Sequence, residues 1–124
     1  LNLYGFNDLA RSLPNGLSSR LGPSIPISNT DKIIIGLSRA LSKNPRIVLI
    51  DSGLESLGDY GLEALIKITR FVPIVIFVSN SPDYIELASR SFVLKSEGQL
   101  VETNPQELST EIRKKQTNQA VGRN

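Results

Sequence analysis

The sequence predicts an α/β domain in which parallel strands are flanked by helices, followed by a C-terminal β-hairpin. Three observations carry this prediction. Residues 46–50 and 74–78 are short, largely β-branched apolar runs, the pattern of strands covered on both faces. Helix-period segments with capping residues lie before and between them. The connections are long enough for a helix, which is the spacing of βαβ crossovers and not of hairpins.

Taken in order, apolar groups at 3, 6, 9, 10 and 13 predict a short helix with Asn7 or Asp8 available to cap it. Pro14, Gly16, Gly22, Pro23 and Pro26 then break either period into a loop. Ser28-Asn29-Thr30-Asp31 has the form of a capping box, in which hydroxyl and carboxylate satisfy free backbone N–H groups at a helix start. Ile33, Leu37, Ala40 and Leu41 form one face of a helix over about 29–43, which Asn44-Pro45 stops. The strand at 46–50 ends at Asp51, and Asp59 is placed to cap a helix over 60–70 with Leu62, Leu65, Ile66 and Thr69 inward. The strand at 74–78 is followed by a helix over 81–88 with Pro82 in its first turn and by a third strand at 92–94. Ser96-Glu97-Gly98 turns the chain into 99–101, a last helix covers about 105–115, and 116–124 reads as a frayed tail.

Composition narrows the function classes. With 40% hydrophobic and 21% charged residues the chain has ordinary globular composition, and 124 residues fit one small core. The longest apolar run, 71–78, contains Pro73 and is far below the roughly 20 residues needed to span a bilayer. A formal charge of +2 is too small to argue for nucleic acid. No cysteine means no disulfide or thiol chemistry, and the joint lack of cysteine and histidine removes the usual zinc sites, the commonest general base and every Ser-His pair. A chain that opens on Leu1 and contains no methionine reads as a piece of something longer.

Ligands of open α/β sheets bind outside the carboxyl ends of the strands, here Asp51-Ser52 and Ser79-Asn80. Plain structural readings stand beside that one. Asp51 could be a turn or capping acid, Ser28 an N-cap, and Ser79-Asn80-Ser81-Pro82 a strand-to-helix turn. Arg113, Lys114, Lys115 and Arg123 could be a solvated face or could meet anionic lipid or a partner.

Residues 27–52 resemble the signature helix and Walker B strand of the ATP-binding cassette family, whose usual run is L-S-G-G-Q, a helix ending A-R-A-L, a K-N-P turn and a strand closing in Asp-Glu. Ser28 matches the signature serine, Arg39-Ala40-Leu41 the helix end, Asn44-Pro45 the turn and Asp51 the Walker B aspartate. Upstream, Leu13-Pro14-Asn15-Gly16 and Gly22 resemble the L-P-x-G-Y-D-T-x-x-G segment of exporter-type cassettes. Downstream, residues 88–94 and 98–102 resemble the A-D-R-I-x-V-L and G-x-I-V-E ending. The likeness covers about residues 1–102.

The resemblance implies the carboxyl-terminal half of an exporter-type nucleotide-binding domain, a partial P-loop NTPase core of the RecA-like kind. It divides the chain into the end of a helical subdomain with the signature helix (1–43), the second half of the ATPase core (44–103), and a C-terminal helix and tail (104–124). It makes Ser28, Asn29 and Thr30 the γ-phosphate contacts and Asp51 the residue that holds magnesium through water. The same comparison predicts degeneracy. Asn29 and Thr30 replace the signature glycines, and Asp31 replaces glutamine. At an effective dielectric near 20, two unit charges roughly 4 Å apart repel by about 4 kcal/mol, so a carboxylate facing phosphate would be costly. Ser52 replaces the glutamate that activates water, and Ser79 falls where the switch histidine belongs, leaving no catalytic residue. Glu55-Ser56-Leu57-Gly58 stands for the S-A-L-D of the D-loop, and no G-x-x-x-x-G-K-[ST] run occurs in the 124 residues.

ATP and Mg²⁺ are therefore expected only in a complete parent assembly and not with this chain alone. The implied partners are a second nucleotide-binding domain and the transmembrane domains of an exporter, at the cytoplasmic side of the cell membrane. A non-enzymatic interaction module derived from a cassette fits the same losses, and a recombinase-like nucleotide binder is a third reading.

Overall fold

The computed structural model describes residues 6–51 and 53–121, a mixed α/β chain with a small parallel sheet and a C-terminal antiparallel pair. It divides into two compact units, one ending at Phe77 and one beginning at Val78.

In the first unit α1 (Phe6–Ser12), a 3₁₀ turn (Gly16–Ser18) and α2 (Asn29–Leu41) precede a βαβ unit. That unit consists of β1 (Ile47–Ile50), a 3₁₀ turn (Leu54–Leu57), α3 (Asp59–Phe71) and β2 (Ile74–Phe77). The two strands are parallel, with Ile47 opposite Ile74 and Ile50 opposite Phe77. The core is built by α3, whose Gly61, Ala64, Leu65 and Ile68 are buried. Leu65 and Ile68 are fully so. Their spacing is one helical face, but it lies one position from the expected stripe, since Leu62 and Ile66 are half-buried and Thr69 is exposed. Small Gly61 and Ala64 let the helix backbone come close, and Thr69 turns its hydroxyl to donate to the Ile66 carbonyl.

Asp59 does not cap α3. Gly58 holds that position at φ 59°, ψ −137°, a conformation open to glycine alone, and Asp59 is the first helical residue. In α2 only Leu41 of the expected face is fully buried; Ile33 and Leu37 are half-buried and Ala40 is exposed.

The expectation that the strands are covered on both faces is corrected. Val48 and Ile50 are buried, while Ile47 and Leu49 are 54% and 74% exposed, and Ile74 and Ile76 across the ladder are 49% and 55% exposed. The parallel register places these four on one side. The first unit thus carries an apolar sheet face with no described layer over it.

The second unit holds α4 (Pro82–Glu86), β3 (Ser91–Leu94), β4 (Leu100–Thr103) and α5 (Pro105–Val121). The third predicted strand gives its backbone bonds to β4 in an antiparallel hairpin, and the parallel ladder is confined to β1 and β2. Gly98 closes the turn at φ 78°, its N–H donating to the Lys95 carbonyl. Arg90 spans the hairpin with a two-pronged pair to Glu102 (2.7 and 3.1 Å) and lies over the Phe92 ring. α5 starts where Asn104 Oδ1 accepts from the Gln106 N–H at 2.9 Å, and it runs on through the expected tail to Val121. Residues 106–121 contain no glycine or proline, and the Glu111–Lys115 pair at i,i+4 supports the helix.

Helix α5 is fastened to α4 by charge. Arg113 reaches Asp83 at 2.7 Å and Glu86 with its other nitrogen, while the buried Ser109 hydroxyl lies 2.9 Å from the same Glu86 carboxylate. The Arg113 hydrogen bond, helped by Ser109, holds the Glu86 carboxyl below its ordinary value of 4.5. A carboxyl depressed in the folded state adds stability above its unfolded value, and that stability is lost as pH falls through the folded value. Acidification through the ordinary value of 4.5 and below it should therefore loosen the α4–α5 junction. Glu86→Gln should flatten the fall of melting temperature over that window, as followed by circular dichroism; an unchanged slope would show that this carboxylate carries none of it.

Candidate functional site

The local chemistry of the predicted site begins at the start of α2. Ser28 is extended (φ −67°, ψ 165°) and its hydroxyl oxygen accepts from the Asp31 N–H at 3.1 Å. In return Asp31 Oδ2 accepts from the Ser28 N–H at 2.9 Å and from the Ser28 hydroxyl at 2.7 Å. This is a closed capping box. The helix N-terminus, with its partial positive charge, already has a carboxylate of its own chain seated on it. Asn29 and Thr30 form the exposed first residues of the helix.

One turn further on, Ile33 meets the turn that follows β1. Gly53 has φ 102°, a backbone conformation that favours glycine, and a Cβ built on it would lie in ordinary contact, 3.4 Å, with Ile33 Cδ1. This contact brings α2 against the segment leaving Asp51. Asp51 itself is exposed immediately after β1, and its carboxylate makes no hydrogen bond or ion pair with any described residue. Ser52 lies outside the described residues. In the D-loop segment the Ser56 hydroxyl donates to the Gly53 carbonyl at 2.6 Å, closing the 3₁₀ turn between the two left-handed glycines.

Ser79 belongs to the second unit, where it is half-buried and accepts from the Ser81 N–H at 3.0 Å, forming the turn that leads into α4. The strand-to-helix reading of residues 79–82 therefore describes its local geometry.

Among the described residues no three of His, Cys, Asp and Glu come together, and Asp51 is a single carboxylate. Magnesium holds its waters tightly and is usually bound through one or two carboxylates together with substrate phosphates.

Sequence reasoning missed two features. One is the unusual backbone of Gly58, for which the glycine pair bracketing residues 54–57 was the available signal. The other is a cavity between α1, the 16–18 turn and α2, which leucines at 9, 13, 17 and 21 announce only when read across the helix break.

Two relatives place these observations. The chain is 26% identical over 98 residues to a Rickettsia bellii (strain RML369-C) protein carrying the name export ATP-binding/permease protein, a match covering 76% of this chain and 17% of the relative. It is 28% identical over 109 residues to the ATP-dependent permease MDL1 of Candida albicans, covering 82% of this chain and 16% of that protein. The similarity supports membership of the ATP-binding cassette transporter family. The chain spans about a sixth of the length of these relatives. No family model matches it, and no solved structure does. No helix among the described residues is long and apolar enough to cross a membrane.

The capping box in this cassette-like segment is expected to be structural. Ser28→Ala should lower stability by about 0.5–2 kcal/mol in urea unfolding, the usual cost of losing such a cap. An unchanged midpoint and slope would show that the cap does not hold α2 in solution.

Proposed function

We propose that this chain is the carboxyl-terminal part of the ATP-binding region of an exporter-type cassette protein, hydrolytically impaired, which transmits nucleotide-dependent closure to transport without turning over ATP at its own site. The similarity to an export ATP-binding/permease protein and an ATP-dependent permease supports the parentage. The observation that carries the impairment is the Asp31 carboxylate on the N-terminus of α2. A phosphate approaching that helix end would displace the cap or meet a like charge at close range.

Two further positions agree. Gly58 stands where the family has an aspartate, in a conformation that would strain any side chain. Ser52 offers a hydroxyl where a carboxylate base belongs. Asp51 keeps the carboxylate that would hold magnesium through water if a nucleotide were supplied by the rest of a parent assembly. In this reading Ser28, Asn29 and Thr30 form the nucleotide-facing edge. The partners are a second nucleotide-binding domain and exporter transmembrane domains, at the cytoplasmic membrane face. Closure then acts by shifting populations between states, not by catalysis.

The open sheet face favours a second reading, a cassette-derived interaction module with no nucleotide role. Ile47, Leu49, Ile74 and Ile76 present one contiguous aliphatic strip on a parallel ladder, a class of sheet normally covered on both sides.

Each reading has its own measurement. Titration of the chain with Mg-ATP in a calorimeter should give no saturable heat up to millimolar nucleotide; a micromolar dissociation constant would overturn the impaired-site reading. In sedimentation velocity the chain should show concentration-dependent association that the double substitution Leu49→Lys, Ile76→Lys abolishes. A wild-type chain that stays monomeric at every concentration would remove the strip as a self-association surface.

A further inference from the structure

The first unit has a cavity of about 520 Å³, open to solvent on one side, between α1, the 16–18 turn and α2. That lies within the range of small-molecule sites, roughly 300–1,000 Å³. Its walls are mainly aliphatic, from Leu9, Leu13, Leu17, Leu21 and Ile35. Leu17 and Leu21 are 76% and 42% exposed, so apolar surface at the mouth remains in water with nothing described over it.

A single ionisable residue lines the cavity. Arg39 sits in the last turn of α2, is exposed, and has no carboxylate partner among the described residues. The two hydroxyls beside it at the end of α2 do not compete with it as donors. Ser38 Oγ donates to the Ile34 carbonyl at 2.8 Å and Ser42 Oγ donates to the Arg39 carbonyl at 2.9 Å, so both protons are committed to the helix. The site therefore combines largely apolar walls, the neutral polar groups of Ser19 and Asn44, and one guanidinium fork, a donor group shaped for a carboxylate.

We propose that this cavity binds a single-chain amphiphile with a carboxylate head, the chemistry of a fatty acid, its tail among the leucines and its head paired with Arg39. Charge count selects the head group. One guanidinium balances one negative charge, no lysine or second arginine lines the cavity, and the carbonyl end of α2 beside it disfavours a dianion such as a monoalkyl phosphate. This inference is independent of the nucleotide reading, since the cavity shares no residue with Ser28–Asp31 or Asp51.

The test uses the ¹⁵N-labelled 124-residue chain and three ten-carbon amphiphiles below their micellar concentrations: decanoate, decanol and decyltrimethylammonium. Decanoate should bind saturably and move amide signals of residues 9–21 and 35–44. It should bind at least tenfold more tightly than the cationic analogue. Arg39→Leu should weaken decanoate about tenfold while leaving decanol unchanged, and Arg39→Gln serves the same purpose if the leucine variant loses helicity. Ala10→Phe, which fills the chamber from α1, should weaken all three. Absence of saturable decanoate binding, equal affinity for the three amphiphiles, or decanoate affinity unchanged by the Arg39 substitutions would overturn the proposal. Decanoate binding whose shifts map outside the cavity would overturn it as well.

Discussion

The constraint on which the first unit rests is the burial of one side of a two-stranded parallel ladder together with α3. Two strands alone are marginal in water and need a packed layer to persist. Leu65 and Ile68, completely removed from solvent, supply that layer together with Val48, Ile50 and Leu54. Full burial of two such side chains contributes about 3–6 kcal/mol before entropy is counted, comparable with the net stability of a small domain. The ladder fixes where β1 ends, and so fixes where Asp51 leaves the sheet. From there the chain has to reach the start of α3 within a few residues. It does so through left-handed Gly53 and Gly58 around one 3₁₀ turn.

That short connection links packing to chemistry. Ile33 of α2 lies beside Gly53, within van der Waals reach of where its Cβ would be, so the helix is seated against the turn after Asp51. The polar groups at the helix start are satisfied within their own turn by Ser28 and Asp31. A helix terminus built to receive a phosphate keeps its N–H groups and dipole available for an external anion. Here an internal anion occupies that position, and the same side chain closes the cap of α2.

The sequence made these features legible to different degrees. The capping box was readable because it is a local pattern within four residues, and the strands at 47–50 and 74–77 because β-branched runs bounded by breakers leave little choice. The second-strand partner of β3 was readable from Ser96-Glu97-Gly98, whereas its separation from the parallel ladder was not, since hydrophobicity alone does not say which neighbour takes the backbone bonds. The inward face of α3 was misjudged because Gly61 and Ala64 are buried for closeness, not for apolar area. Exposure of Ile47, Leu49, Ile74 and Ile76 contradicts the double cover that an unbroken apolar run predicts. The tail beyond residue 115 was underestimated because composition without an apolar stripe hides the support of Glu111–Lys115 and the absence of breakers.

The mismatch at the sheet is itself informative. A sequence that places aliphatic residues at every position of β1, two on each side, specifies cover on both sides, and α3 provides cover for only one. In a parallel sheet the second layer is ordinarily helical, because crossovers leave helices on the faces. The unsatisfied pattern therefore lies in the strand residues themselves and does not depend on any assumption about nucleotide. The closed capping box at Ser28–Asp31 and the doubly apolar β1 are separate properties: the first is complete within its own turn, while the second leaves one sheet face for packing against another surface.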